Sequence, residues 1–264
     1  MEADLGQGPV LSAGGLTKRF GRRTVLDTVS FTVAEGEVHG LLGPNGSGKT
    51  TCLHLVTGLL AADAGAAVIA GVPVHDKVSR ALLGMAPDDL PLPASLTGGE
   101  YLRFHDRMRG RDDARSAREL AEAFGLAGEL DRQIHEYSHG MKRKLQVVAA
   151  TMHRPPLLVL DEPFRGLDPE AAVTLRRLVG SYADSGGAVL LATHDMLRAQ
   201  RDCHRVTILH SGSIAAQGEP YQLRQDHGAA TLEDVFLAAT DREGEQARRA
   251  DALTAVLREG DERH

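Results

Sequence analysis

The sequence has no tryptophan and only two cysteines, Cys52 and Cys203, among its 264 residues. Two isolated cysteines supply neither a disulfide framework nor a CxxC metal pair, so we expect a reducing compartment and two small, buried hydrophobic side chains. Aromatic residues make up only 4% of the chain, whereas hydrophobic and charged residues, at 42% and 25%, stand at ordinary levels. This composition predicts a globular α/β protein with a large core.

Long apolar segments are also missing. The N-terminal stretch MEADLGQGPV is acidic and has no apolar core behind basic residues, so no secretory signal is expected. The most apolar region, residues 53–74, is broken by His54, Asp63 and Pro73 and falls short of the roughly 20 apolar residues that a membrane span needs. We therefore expect a cytoplasmic chain whose contact with a membrane depends on a partner.

The chain has no excess of basic charge. A net charge of −6 argues against binding of nucleic acid by the surface as a whole, so no nucleic-acid partner is expected. The local basic run KRK, residues 142–144, is explained more simply as the solvated face of a helix.

What the sequence does contain is a strand–loop–helix unit followed by further buried strands. Residues 26–60 show alternating strand residues, a turn at Glu35-Gly36, a buried strand from Val38 to Leu42, a glycine-rich loop and a helix. Three later apolar runs are typical of strands that are covered on both faces and carry chemistry at their carboxyl ends. These runs are residues 157–163, 188–195 and 205–212.

Two other regions have a different character. Residues 88–155 are charge-rich, helix-forming and almost free of β-branched runs, which predicts a helical subdomain. Residues 241–264 form a highly charged tail that is poor in core residues, which predicts either a solvent-facing helix or disorder. The main domain is therefore expected to cover residues 1–240.

The glycine-rich loop, GPNGSGKT, satisfies the phosphate-loop pattern GxxxxGK[ST] between a predicted strand and a predicted helix. Glycines tolerate backbone conformations that let N–H groups converge on phosphate oxygens, and the start of the following helix adds to anion binding. We expect Lys49 to reach the β- and γ-phosphates and the Thr50 hydroxyl to ligate Mg²⁺. The candidate ATP-binding residues here are Gly43, Pro44, Asn45, Gly46, Ser47, Gly48, Lys49, Thr50 and Thr51.

The run LLVLDEP, residues 157–163, ends in two adjacent carboxylates. Asp161 is expected to hold Mg²⁺ through water, and Glu162 to polarise the attacking water as general base. Together with the phosphate loop, this pair predicts hydrolysis of a nucleotide.

The segment HEYSH, residues 135–139, offers an alternative because it satisfies HExxH, which on one helix places two histidines around zinc. Ser138 is a good N-cap, however, and Gly140 is a poor residue for a helix interior. These residues and the apolar spacing that follows predict that the helix begins near Ser138. His135 and His139 would then straddle the helix start and could not share a metal.

The residues Tyr137-Ser138-His139-Gly140-Met141 instead resemble the signature motif of ATP-binding cassette (ABC) ATPases, Leu-Ser-Gly-Gly-Gln, in its usual place before the LLVLDEP strand. The resemblance covers about residues 9–240 and implies an α/β fold: a P-loop NTPase with a RecA-like core, an N-terminal antiparallel β portion and a helical subdomain. It also implies that two domains pair head to tail. The signature of one copy, Ser138, His139, Gly140 and Met141, would close on the γ-phosphate held by Lys49 of the other.

Further motifs match the family in order. FRGLDP resembles the D-loop, which implies that Asp168 crosses the dimer interface. ATHD places His194 where the catalytic switch histidine of the family contacts the γ-phosphate, and LTKRFG places Phe20 where an aromatic side chain stacks on adenine. These roles depend on motif order and resemblance rather than on the residue types themselves.

Three positions depart from the family pattern. In GMAPDDLPLP, Asp88 stands where a glutamine usually couples the nucleotide to the partner, and we expect it to meet Mg²⁺ through water. His139 replaces a glycine of the signature and Met141 its glutamine. The form YSHGMKRKL, Asp88 and the segment LEDVFLAAT are similar to ATP-binding subunits of ABC-2-type exporters, including drug and antibiotic exporters.

The resemblance implies an ATPase that uses ATP and Mg²⁺ to power transport, with export as the expected direction, through a separate membrane permease. The chain would act as a homodimer on the inner face of the cell membrane. The alternative is a soluble ABC-type ATPase acting on ribosomes or DNA. Such proteins carry two cassettes or a long coiled coil, whereas this chain has one cassette and about 90 residues between phosphate loop and signature.

Overall fold

The fold is built from two β-sheets with helices around and between them, and the structure, a computed structural model, describes residues 8–88, 91–111 and 114–240. The strands are β1 (Leu11–Phe20), β2 (Arg23–Val33), β3 (Val38–Leu42), β4 (Ala64–Ile69), β5 (Val72–Pro73), β6 (Leu83–Ala86), β7 (Leu157–Asp161), β8 (Ala188–Thr193), β9 (Arg205–His210) and β10 (Ser213–Gly218). The α-helices are α1 (Lys49–Val56), α2 (Gly98–Arg107), α3 (Ala114–Ala123), α4 (His139–Thr151), α5 (Pro169–Asp184), α6 (Met196–Asp202), α7 (Pro220–Asp226) and α8 (Leu232–Ala239). The charged tail, residues 241–264, lies outside the described residues.

The larger sheet has the strand order β10-β9-β3-β8-β7-β6, and its neighbouring strands are parallel except for β9 and β10. Strands β3, β7 and β8 are buried along their whole length, as their largely apolar sequences predict. Leu42 pairs with Thr193, and Asp161 pairs with Ala192. The residues that follow β3, β7 and β8 therefore meet at one edge of the sheet.

The smaller sheet has the order β2-β1-β4-β5 and is antiparallel throughout. Helix α1 packs between the two sheets, because its buried Leu53 and Val56 share a hydrophobic cluster with Leu11 of β1 and Leu157 of β7. This arrangement confirms the expected α/β fold with an N-terminal antiparallel portion. It also fixes the position of the loop that precedes α1.

Helices α2, α3 and α4 occupy the segment that the sequence predicts to be helical. Helix α2 begins with a capping box, in which Thr97 Oγ1 accepts a hydrogen bond from the Glu100 N–H and the Glu100 carboxylate accepts one from the Thr97 N–H. The three helices share a second hydrophobic cluster through Leu102, Ala121 and Leu145. Over the described ranges, every helix is too short or too polar to cross a membrane.

The HEYSH segment does not form one helix. His135 lies in a short 3₁₀ turn, Ile134–Glu136, whereas α4 begins at His139. Ser138 is the N-cap of α4, and its Oγ accepts a hydrogen bond from the Met141 N–H at 3.2 Å. The predicted helix start is therefore confirmed, and the i, i+4 zinc pair is wrong. In the part of the chain that the structure describes, no three His, Cys, Asp or Glu side chains form a metal-binding group.

Both cysteines are free and buried, as predicted. Cys52 lies in α1, and Cys203 directly follows α6. Burial raises the pKa of each thiol to about 12. The two thiols are therefore neutral packing groups at physiological pH.

Candidate functional site

The phosphate loop connects β3 to α1 through glycines in conformations that other residues rarely adopt. Gly43 has a φ of 147°, and Gly48, the N-cap of α1, has a φ of 110°. A Cβ on Gly43 would collide with the carbonyl oxygen of Leu209. A Cβ on Gly48 would lie 2.7 Å from Cδ2 of Leu26. The loop can therefore follow this path only if both positions lack a side chain.

Lys49 is the buried cation of this loop. Its Nζ donates hydrogen bonds to the carbonyl oxygens of Gly43 at 2.6 Å and Pro44 at 3.3 Å, so the amine is held over the loop. Burial lowers the pKa of Lys49, while the nearby charges of Glu162 and Asp161 act in the opposite direction. An ammonium group at the N-terminus of a helix is well placed to bind phosphate oxygens.

A cleft of about 270 Å³ lies beside the loop and brings together nine of the predicted site residues. Its lining residues are Arg23, Val25, Asn45, Gly46, Gly48, Lys49, Thr50, Thr51, Asp88, Asp161 and Glu162. The sequence reasoning missed Arg23 and Val25, which lie at the start of β2. The signal that could have identified them is the short turn after Phe20, since a hairpin there returns the chain to the same end of the sheet.

Asp161 and Glu162 stand at the carboxyl end of β7. Burial is the largest cause of the raised pKa of Asp161, and the charges of Asp88 and Glu162 add to it. The pKa of Asp161 reaches about 6 despite the opposing charges of Arg143 and Lys49. The ionised form of this carboxyl would therefore gain stability from a further cation in the cleft.

Glu162 and His194, the two predicted catalytic residues, are in direct contact. The Glu162 carboxylate accepts hydrogen bonds from the backbone N–H of His194 at 2.9 Å and from Thr193 Oγ1 at 3.0 Å. Nδ1 of His194 lies 2.8 Å from the same carboxylate. A carboxylate held in this way, at the rim of a phosphate-binding cleft, can accept a proton from water. The arrangement therefore suits hydrolysis of a phosphate ester or anhydride.

The cleft carries oxygen ligands suited to Mg²⁺. The Thr50 hydroxyl and the Asp161 carboxylate line it together, and Mg²⁺ is usually held by one or two such oxygens plus substrate phosphates. Both carboxylate oxygens of Asp88 are paired with arginines, Oδ1 with Arg143 at 3.1 Å and Oδ2 with Arg165 at 2.8 Å. Thr50 and Asp161 therefore fit the ion as they stand, while a contribution from Asp88 stays a prediction.

Arg143 is a further residue that sequence reasoning missed. Within the KRK run interpreted as a solvated helix face, Arg143 is buried, so that interpretation is wrong for this residue. Its guanidinium donates hydrogen bonds to the carbonyl oxygens of Asp161 and Glu162. The available signal was helical spacing, since Val147, four residues further along α4, is also buried.

The signature residues lie outside the cleft of their own chain. Ser138 caps α4, and the His139 ring packs on Gly166, where an added Cβ would lie 2.5 Å from Cδ2 of His139. A Cβ on Gly140 would also lie 3.0 Å from the carbonyl oxygen of Gly166. The signature therefore packs against the segment that resembles the D-loop, and contact of Ser138, His139, Gly140 and Met141 with a γ-phosphate stays a prediction.

Asp168, which the resemblance places across a dimer interface, has two partners within this chain. Its Oδ1 accepts a hydrogen bond from the Ala171 N–H at 2.8 Å, so it caps α5, and its Oδ2 lies 3.1 Å from Lys144 Nζ. The Ala171 hydrogen bond and then the Lys144 contact lower the pKa of Asp168. Its role across an interface stays a prediction.

Phe20 ends β1 beside the cleft rather than in its lining. Its side chain is 52% exposed, and Lys18 Nζ lies 5.7 Å from the ring centroid. Arg23, which does line the cleft, pairs with Phe20 across the hairpin. The ring is thus close to the rim, and its stacking on adenine stays a prediction.

Comparison with known proteins places this chain in a family. Residues 26–165 match the sequence profile of the family described as ABC transporter. The chain is 37% identical over 224 residues to the Nod factor export ATP-binding protein I of Ralstonia nicotianae, covering 83% of this chain and 70% of that protein. It is 32% identical over 228 residues to the linearmycin resistance ATP-binding protein LnrL of Bacillus subtilis, covering 84% and 73%.

The fold is similar to solved structures as well. An ATP-binding subunit of an ABC transporter superposes with a TM-score of 0.83 at 32% identity, covering 88% of this chain and 99% of that chain. The family profile, the relatives and the superposition all identify the same family. This chain is an ATP-binding, ATP-hydrolysing member of the ABC transporter family.

Proposed function

We propose that this chain is the ATPase subunit of an exporter and powers transport through a separate membrane permease. The observation that carries the proposal is the single cleft that joins Lys49, Asp161 and Glu162 in a member of this family. The names of two relatives, one for Nod factor export and one for linearmycin resistance, support the direction of transport. The chain would lie in the cytoplasm, attached to the inner face of the membrane through the permease.

Each residue of the cleft has a defined part in this proposal. Lys49 exchanges its hydrogen bonds to loop carbonyls for contacts with β- and γ-phosphate oxygens. Glu162 orients the attacking water and accepts its proton. His194 contacts the γ-phosphate, and its hydrogen bonds also hold the Glu162 carboxylate in place. Thr50 and Asp161 would hold Mg²⁺, which would neutralise negative charge at the phosphate oxygens.

Substitution of Glu162 tests this scheme. Glu162→Gln keeps the shape of the side chain but removes the proton acceptor, so kcat should fall by roughly 10²- to 10⁴-fold while ATP binds normally. Lys49→Ala is the matched comparison, and it should weaken ATP binding by at least about tenfold because a charged hydrogen-bond donor is lost. Phosphate release and titration with a fluorescent ATP analogue measure the two effects. Undiminished turnover in Glu162→Gln would contradict the assignment of Glu162 as the general base. Unchanged ATP affinity in Lys49→Ala would contradict the assignment of residues 43–50 as the phosphate-binding loop.

A permease needs a docking surface, and the surface around α2 carries exposed apolar side chains. Leu59, Phe104 and Met108 are 67%, 53% and 71% exposed. Leu59 lines a groove of about 250 Å³ together with Arg109 and residues of α2, and Phe104 and Met108 line a second groove along the same helix. Exposed apolar clusters with a polar rim mark protein interaction sites. We assign this face, the α2 face, to a cytoplasmic segment of the permease.

Co-purification distinguishes a transporter subunit from a soluble ABC-type ATPase. The Glu162→Gln chain, purified from detergent-solubilised native membranes, should bring with it a polytopic membrane protein that mass spectrometry identifies. The double change Phe104→Asp and Met108→Asp should lose that protein. Tyr221→Asp on α7 alters a residue that is 65% exposed away from the α2 face and serves as the control. Recovery of ribosomal or DNA-bound proteins without a permease would favour the soluble alternative.

A further inference from the structure

Arg143 is a buried cation that the proposed hydrolysis scheme leaves without a role. Its side chain, on α4, is 2% exposed. Its guanidinium donates hydrogen bonds to the carbonyl oxygens of Pro87 at 2.5 Å, Asp161 at 2.6 Å and Glu162 at 2.7 Å. It also donates to the Asp88 carboxylate at 3.1 Å. One side chain therefore ties α4 to the ends of β6 and β7.

Glu162 has a backbone conformation that needs such support. Its φ of 45° lies in the left-handed region, which residues with long side chains adopt only where the surroundings hold them. Its N–H donates to the Ala192 carbonyl at 2.8 Å, and its own carbonyl accepts from Arg143. In this conformation the carboxylate reaches Thr193 and His194. The hydrogen bond from Arg143 thus fixes the direction in which the Glu162 side chain leaves the strand.

We propose that Arg143 is a positioning residue for hydrolysis, because its hydrogen bonds to the carbonyl oxygens of Asp161 and Glu162 hold Glu162 where it orients the attacking water. Arg143 is buried and does not line the cleft, so it acts through Glu162. The inference rests on the proposed role of Glu162 as base. A guanidinium presents its donors in a planar fork, whereas a lysine ammonium presents three donors from one point and cannot reach the same acceptors together.

A second route from Arg143 to the site runs through Asp88, and it can be tested separately. Arg165 pairs with the same carboxylate at 2.8 Å, but its side chain is 64% exposed. If neutralisation of Asp88 were the important effect, Arg165 and Arg143 would matter to a similar degree. If the carbonyl contacts at the end of β7 are important, only Arg143 matters.

Steady-state ATP hydrolysis and ATP affinity of three lysine variants separate the two routes. Arg143→Lys should lower kcat by roughly 10- to 100-fold, the effect of a small displacement of a catalytic group, while KM and Kd for ATP change by less than about threefold. Arg165→Lys should change kcat by less than about threefold, because it alters an exposed ion pair. Arg115→Lys, at a side chain that is 86% exposed on α3, is the control for the exchange itself.

Three results overturn the inference: an unchanged kcat in Arg143→Lys, a raised KM with kcat retained, or an equal loss of kcat in Arg165→Lys. Glu162→Gln, measured alongside, separates this inference from the proposed function. If Glu162→Gln retains turnover, Glu162 is not the base and the proposed function fails. If turnover is lost in Glu162→Gln but kept in Arg143→Lys, only the role of Arg143 is contradicted. Should Arg143→Lys fail to fold, Arg143→Gln, which keeps amide donors without the charge, gives the same split between kcat and KM.

Discussion

Gly46 and Gly48 of the phosphate loop share left-handed backbone angles but have different surroundings. Gly48, with a φ of 110°, packs against Leu26 of β2, whereas the space beyond Gly46, with a φ of 80°, is open. Gly48→Ala adds a steric collision to backbone strain and should lower the free energy of unfolding by about 2–4 kcal/mol, against about 1 kcal/mol for Gly46→Ala. Urea unfolding of the nucleotide-free protein measures both. Equal losses would mean that strain alone, without packing against β2, determines the cost.

The side chains of the cleft differ in how far the sequence could predict them. Lys49, Asp161 and Glu162 were predictable because each belongs to a short motif whose chemistry depends on neighbours in the chain. Arg143 was not predictable, since its contact with Asp88 joins positions 55 residues apart and depends on how α4 packs. The same packing pairs Asp88 with Arg143 and Arg165. The sequence predicted a contact of Asp88 with Mg²⁺ but neither of these ion pairs.

Strands β3 and β9 are joined by a buried polar chain as well as by their backbones. His39 is fully buried, with Nδ1 2.7 Å from Oε1 of Glu37 and Nε2 2.9 Å from Oγ1 of Thr207. Thr207→Val leaves a ring nitrogen without a partner and should destabilise the fold by about 1–3 kcal/mol. Thr207→Ser keeps the hydroxyl and should cost under about 1 kcal/mol. If calorimetry finds the two variants equally stable, the hydroxyl contributes nothing.

The end of α4 is joined to β6 by His153, which makes stability dependent on pH. Its Nε2 lies 3.2 Å from the Leu83 carbonyl oxygen, and burial, followed by the charge of Arg109, lowers the pKa of His153 from 6.5 to about 4. As the pH falls through this window, the unfolded chain gains a proton that the folded chain does not, so the free energy of unfolding decreases.

His153→Gln keeps a donor for Leu83 but cannot titrate, so its free energy of unfolding should fall less steeply with decreasing pH than that of the parent chain. Urea unfolding at several values between about pH 7 and pH 5 compares the two slopes. Parallel slopes would show that His153 titrates alike in the folded and unfolded chains.

Strands and helices with a clear local sequence pattern were predictable, and those that depend on close packing against other elements were not. The buried runs of β3, β7 and β8 and the start of α4 at Ser138 follow from local pattern. Strand β6 has only four residues, and its Gly84 lies so close to α4 that an added Cβ would collide with the Ala150 carbonyl. Such a strand forms because it packs against α4 and pairs with β7, and these contacts cannot be read from the sequence of the strand itself.

Across the assembled protein, we expect two copies to join only around ATP. Glu162→Gln with ATP and Mg²⁺ should elute as a dimer in size-exclusion chromatography with light scattering, and as a monomer with ADP. Ser138 does not line the cleft of its own chain, so Ser138→Glu in that background should abolish the dimer by charge repulsion of phosphate while each copy still binds ATP. A dimer without nucleotide, or one that survives Ser138→Glu, would contradict the head-to-tail arrangement.

Because both native thiols are buried, a dye that reacts with thiols can be attached at one chosen surface position to follow the assembly of two copies. Burial raises the pKa of Cys52 and Cys203 to about 12, so both thiols stay protonated at neutral pH, and burial also keeps reagents away from them. A single surface thiol introduced by Tyr221→Cys should therefore take up a maleimide dye alone, with the native pair left in place. Energy transfer between dyes on two copies would then record their approach and separation during successive turnovers.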